Sequence, residues 1–143
     1  MSGLEPPGSP ENRREARQWL AIVEADIDVA RAAGRLSPPR LGHSAYHLQQ
    51  AAEKLLKALL VLNSEPFRHT HDLDDLIARL SPFYPRFTDV FEQMRPLSTW
   101  SVAFRYPGLE DLQAAPPAIA EVERLAAMLG AFANEARALV GNE

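Results

Sequence analysis

At 143 residues, with 46% hydrophobic and 24% charged side chains, the sequence suits one folded domain, which at this size buries roughly two thirds of the surface its extended chain exposes. It holds no cysteine, which excludes a disulfide framework, a thiolate nucleophile and a cysteine-ligated zinc. A net charge of -4, from 15 basic and 19 acidic side chains, supplies no global field that would gather nucleic acid, so any such contact requires a local patch.

The opening MSGLEPPGSPENRRE lacks the apolar run of a secretion signal, and no stretch approaches the roughly 20 apolar residues that span a bilayer. A cytoplasmic protein is expected. Residues 1–8, rich in proline and glycine, read as a flexible leader, followed by a single domain over residues 9–141. Ser9 can cap a first helix with Pro10 at its first position and Glu11 at the positive end of the helix dipole. Trp19, Ile22, Val23, Ile27 and Ala30 recur at three- and four-residue steps and draw an apolar stripe as far as Gly34, before the breakers Pro38 and Pro39.

A second helix is predicted from Arg40 to Leu62, rich in alanine and leucine and free of proline. A third, capped by Thr70 or Asp72, turns Leu73, Leu76, Ile77 and Leu80 inward and ends at Ser81-Pro82. A fourth is expected from about Pro85 to Met94, with Phe87, Val90, Phe91 and Met94 on one face and Pro96 as its stop. Residues 96–113 read as an ordered connector, part of which, TWSVAFR, can continue a helix. The last helix, from about Pro117 to Val140, sets Ile119, Val122, Leu125, Ala126, Leu129, Phe132, Ala133 and Ala136 on one side. With short loops between long helices and no paired strand signals, the expected fold is all-α, an up-and-down bundle of four to five helices. Most aromatics, among them Trp19, Trp100, Phe83, Tyr84, Phe87, Phe91 and Phe104, are expected in the core or in a dimer contact.

At about 100° per residue the second helix separates Leu48, Leu55, Leu59 and Leu62 from His43, Tyr46, Gln50, Glu53, Lys54 and Lys57. The polar side reads either as a solvated face with an i,i+4 Glu53–Lys57 pair or as a binding face. Histidines, a tyrosine and a glutamine favour the second, since they suit phosphate, base or partner recognition better than mere solubility.

The run AYHLQQAAEKLLKALL at 45–60, THDLDDL at 70–76 and FRYPG at 104–108, in that order, resembles the HEPN domain family (higher eukaryotes and prokaryotes nucleotide-binding domain), over about residues 13 to 138. The resemblance implies a homodimer of helical bundles with a polar cleft near the dimer interface, often encoded beside a minimal nucleotidyltransferase as a toxin–antitoxin pair or a two-part transferase. It also implies that Gln50, Glu53, Lys54, Lys57, His71, Asp72, Arg105 and Tyr106, at matching motif positions, belong to a nucleotide- or partner-binding site. Tyr46 joins them from the same helix face.

Many HEPN proteins are metal-independent ribonucleases that use an arginine followed, after four to six residues, by a histidine. Arg105 is followed by YPGLEDLQAA, without histidine, so no catalytic residue is assigned and the expectation leans away from an enzyme. Arg40 and His47, with six residues between them, match the spacing literally, but at the start of the second helix. Arg68-His69-Thr70-His71-Asp72 can hold an anion or form a capped loop, with His71 bonding back into the bundle. It lacks the i,i+4 spacing of helical zinc sites, so no metal and no cofactor are expected. Arg105 and Tyr106 can aim a guanidinium and a phenol into one cleft, or Arg105 can pair with an acid such as Glu53 at a helix-ending turn.

The leading expectation is a non-catalytic HEPN homodimer that binds nucleotide or a minimal nucleotidyltransferase. The alternatives are a ribonuclease toxin with an unusual set, such as Arg105 with His71 or His47, and a purely structural dimeric scaffold.

Overall fold

Ser9 accepts a hydrogen bond through Oγ from the Asn12 amide at 3.0 Å, and Pro10 takes the first helical position, so the first helix, α1, spans Pro10–Gly34 as its capping residues dictate. The computed structural model describes residues 8–67, 70, 72–100 and 115–141. Most of the expected leader, residues 1–7, and the FRYPG segment lie outside the described residues. Gly8 adopts φ +86°, and a Cβ there would stand 2.6 Å from the Leu62 carbonyl oxygen, so only glycine fits where the chain crosses the end of the second helix.

The second helix, α2, spans Leu41–Leu62 and is the centre of the fold. It runs antiparallel to α1, because contacts between the two pair low numbers with high ones: Asn12 donates to Ser64 Oγ at 2.7 Å, Lys57 Nζ lies near the Trp19 ring, and Ser44 Oγ donates to the Ala30 carbonyl at 2.7 Å. The third helix, α3, covers Leu73–Leu80, is capped by Asp72 and buries all four predicted apolar residues against α2. A 3-10 turn at Pro85–Phe87 leads into α4, Thr88–Met94, so the predicted fourth helix begins with a tighter turn. Pro96 was expected to end the helical path. Instead the chain continues as 3-10 helix over Arg95–Trp100, a geometry that accommodates a residue lacking its N–H near the start of the segment.

The last helix, α5, Ile119–Val140, lies antiparallel along α1: Arg31 and Arg35 pair with Glu123 at 3.3 and 3.2 Å, Arg137 with Glu24, and Arg17 Nη1 donates to the Gly141 carbonyl at 3.5 Å. Phe87, Phe91 and Phe132 meet edge to face, with centroids 4.9 to 6.1 Å apart, which locks α4 onto α5. The protein is thus an all-α bundle of five α-helices without strands among the described residues.

Two residues depart from the predicted stripes. Ile22 and Ile119 were expected to face inward, but they are 45% and 46% exposed. On α1 the inward row is Ala16, Leu20, Val23, Ile27 and Ala30, which leaves Ile22 a third of a turn away. Ile119 opens α5, where no helix among the described residues covers it. Phe83 is also exposed, at the corner between α3 and α4.

At the end of α2, Asn63 Nδ2 donates to the Leu59 carbonyl at 2.8 Å and to Tyr84 Oη at 2.7 Å. Burial pushes the Tyr84 phenol above its usual 10.0, against the opposing pull of the Asn63 hydrogen bond and the Arg86 charge. A folded tyrosine that keeps its proton longer than the unfolded one contributes stability that is complete below pH 10.0 and is lost as pH rises through the folded value. The urea midpoint should therefore fall above that pH, and less steeply in Tyr84→Phe than in the natural protein. Truncating Leu55, wholly buried in α2, to alanine should cost about 2–5 kcal/mol in the same urea titrations.

Candidate functional site

In α2 the residues at positions 49, 53 and 57 recur every four and so share a face, and that face is packed rather than solvated. Gln49 is 0%, Glu53 3% and Lys57 8% exposed. Lys57 Nζ donates to Glu53 Oε2 at 2.7 Å, Gln49 Nε2 donates to Glu53 Oε1 at 3.1 Å, and Gln50 Nε2 donates to Gln49 Oε1 at 2.8 Å. Both carboxylate oxygens are engaged, which a buried anion requires if it is to stay charged.

Two aromatic rings bracket the Lys57 ammonium. It lies 5.4 Å from the Phe67 ring centroid and 6.0 Å from that of Trp19, and these rings meet edge to face with centroids 6.0 Å apart. Such a cation is held by ring quadrupoles as well as by its carboxylate, with little water to screen either.

A second polar group joins α2 to α1. Asp26, 8% exposed, accepts from Lys54 Nζ at 3.0 Å through Oδ2, and its Oδ1 lies 3.0 Å from His47 Nδ1. His47 and Lys54 stand two turns apart on α2, so one carboxylate from α1 fits between them. The Tyr46 ring meets the His47 ring edge on, with centroids 5.2 Å apart. His47 also lines a surface hollow of about 400 Å³, where Arg40 and His43 face an apolar wall of Val29, Ala32 and Leu36.

These positions correct the reading of α2 as having one polar side turned to solvent. Among the expected site residues, Gln50, Glu53 and Lys57 belong to one hydrogen-bonded chain, while Lys54 turns instead to Asp26 on α1. Tyr46 sits beside His47, and Asp72 is the cap of α3, with Oδ1 accepting from the Asp74 amide at 3.0 Å. His71, Arg105 and Tyr106 lie outside the described residues. No group of three His, Asp or Glu side chains is placed to hold a metal ion among the described residues, and no helix among them is long and apolar enough to cross a membrane.

Sequence reasoning passed over Gln49 and Asp26. Gln49 was legible, since it precedes Glu53 and Lys57 at the same four-residue step. Asp26 lies among Val23, Ile27 and Ala30 at i,i+3,i+4 spacing, and a carboxylate on the buried stripe of a helix requires a partner across the interface.

The HEPN domain family model matches residues 10–132, from the first turn of α1 into α5. The chain belongs to the HEPN domain family. No curated protein and no solved structure matches it. Within this HEPN domain both polar groups lie on α2 or bridge it to α1, inside the matched span. Lys57→Met removes the cation from the buried Glu53 and should destabilise the domain by about 3 kcal/mol or more. Adding Glu53→Gln should recover part of that loss, and comparing urea midpoints of the two single variants and the double variant measures the coupling.

Proposed function

We propose that this HEPN protein is a non-catalytic binding module: a homodimer that takes up nucleotide, or a minimal nucleotidyltransferase partner, at the half-buried rim of the polar side of α2, where Tyr46, Gln50 and Lys54 are partly exposed. The observation that carries the reading is the chain from Gln50 through Gln49 and Glu53 to Lys57, ending in an ammonium between two aromatic rings. Each of its charges is matched at hydrogen-bond distance, which suits rigid positioning of a polar ligand and leaves neither group of the ion pair as an unengaged proton carrier. The sequence adds that no histidine follows Arg105, so the late ribonuclease motif is absent.

On this reading Tyr46, Gln50, Glu53, Lys54, Lys57 and Asp72 act together with His71, Arg105 and Tyr106 as recognition groups rather than catalysts. Calorimetric titration with ATP, GTP and short RNA, alone and with any nucleotidyltransferase encoded next door, should give saturable heat that Lys57→Ala and Arg105→Ala weaken. Silence in every titration, with no complex formed, removes the support for it.

One observation favours a second reading, a metal-independent ribonuclease. Arg40 and His47, whose spacing fits the family's catalytic pair, line the same hollow, and Asp26 holds His47 through Nδ1 while Nε2 has no partner among the described residues. A histidine fixed at one ring nitrogen by a carboxylate is oriented for proton transfer at the other. This reading predicts growth arrest on expression and RNA cleavage in the presence of a chelator, both abolished by Arg40→Ala and by His47→Ala. An RNA substrate left intact under those conditions eliminates it.

A further inference from the structure

The corner where α1 passes into α2 holds a hollow of about 400 Å³ with one apolar wall and one basic wall. Val29, Ala32 and Leu36 belong to the first, and Arg40, His43 and His47 to the second. A cleft of this size accommodates a small organic molecule, and an apolar lining with a few placed polar groups is the common composition of such sites.

The polar groups of this hollow are all of one kind. No carboxylate, amide or hydroxyl side chain lines it. Arg40 is exposed, and its guanidinium makes no hydrogen bond or ion pair with any described residue, whereas Arg31, Arg35 and Arg137 each hold a carboxylate. His43 also has no hydrogen-bond partner among the described residues, and in either tautomer it can turn an N–H toward an oxygen. Asp26, the carboxylate beside His47, has Lys54 on its other oxygen, and α2 carries no acidic residue in its first turn. Nothing among these groups offsets the charge of Arg40.

Charge and wall together define the class of ligand. One permanent cation matches one negative charge, and a nucleoside triphosphate, which carries several, meets no second fixed cation here. The lining also lacks an amide or carboxylate that would read the edge of a base. It does hold a guanidinium fork, which fits a carboxylate in its plane. Close to that fork Val29 and Leu36 are 44% and 54% exposed, so an apolar body laid on them displaces water from both.

We infer that this hollow binds a small monocarboxylic acid with an apolar body, the carboxylate on Arg40 and His43 and the body on Val29, Ala32 and Leu36. The site does not depend on the nucleotide- or partner-binding rim of the proposed function. Because it engages Arg40 and lies against His47, an acid seated there occupies the pair that the ribonuclease reading requires.

The test uses the natural protein with octanoate, below its micellar concentration, as the probe. Calorimetric titration should give saturable heat, and the ring-proton NMR signals of His43 and His47 should shift along the same curve. Octanamide keeps the body and loses the charge, while acetate keeps the charge and loses the body, and each should bind at least about 10-fold more weakly. Arg40→Gln should weaken octanoate by a similar factor with unchanged helicity by circular dichroism. Arg14→Gln, at an exposed position near the other end of α1, should leave the affinity as it was.

Octanamide binding as tightly as octanoate would reduce the hollow to an apolar crevice, and acetate or inorganic phosphate binding as tightly would reduce it to a bare ion site. Either result overturns the inference, as does the lack of saturable octanoate binding. ATP that binds where octanoate does not leaves the nucleotide reading standing without this site, and octanoate that binds where ATP is silent does the reverse.

Discussion

The register between α1 and α2 is the constraint on which everything else in this bundle rests, and ionic groups set it as much as apolar packing does. Hydrophobic contact between two helices is nearly indifferent to small slides, because one leucine replaces another at modest cost. A carboxylate held between His47 and Lys54 is not indifferent: moving Asp26 by one turn would leave a buried charge facing methyl groups. The Glu53–Lys57 pair and its cover of Trp19 and Phe67 add a second fixed point two turns further along. Ser44 on the Ala30 carbonyl and Asn12 on Ser64 hold the two ends.

This arrangement explains why α2 carries so many polar residues while lying in the middle of the core. Its leucines join one apolar core with residues of α1, α3 and α5, while Lys54 and His47 reach Asp26 on α1 and Lys57 lies by the two aromatic rings. Burying an ion pair contributes little net stability, since desolvation offsets most of the attraction. What such groups supply is a unique alignment, and with it side chains held in fixed positions beside the hollow at Arg40 and His43. A site assembled on two rigid helices is better suited to selective recognition than one carried on loops.

Most of the fold was legible because its signals are local. Ser9 and Pro10 mark the start of α1, Asp72 marks α3, and the repeated leucines of α2 leave no other assignment. Harder to see were features that depend on which neighbour arrives. Whether Glu53 and Lys57 face water or a second helix is not written in their spacing, and the choice between a solvated face and a packed one turned on Trp19, a residue more than thirty positions earlier. Ile22 illustrates the converse. Its spacing fits the inward stripe of α1, but α2 and α5 together cover only the side centred on Val23 and Ile27, so it is left exposed. The motifs carrying the family resemblance were readable because they combine identity with order, and the match across residues 10–132 spans them all.

Asn63 gives the bundle a mechanical property that its packing alone would not. One amide nitrogen reaches both the last turn of α2 and the phenol of Tyr84, so the corner between α3 and α4 is tied to the end of the central helix, less than two turns past Lys57. Because a single amide serves both partners, losing it would release the last turn of α2 and the α3–α4 corner together rather than one at a time.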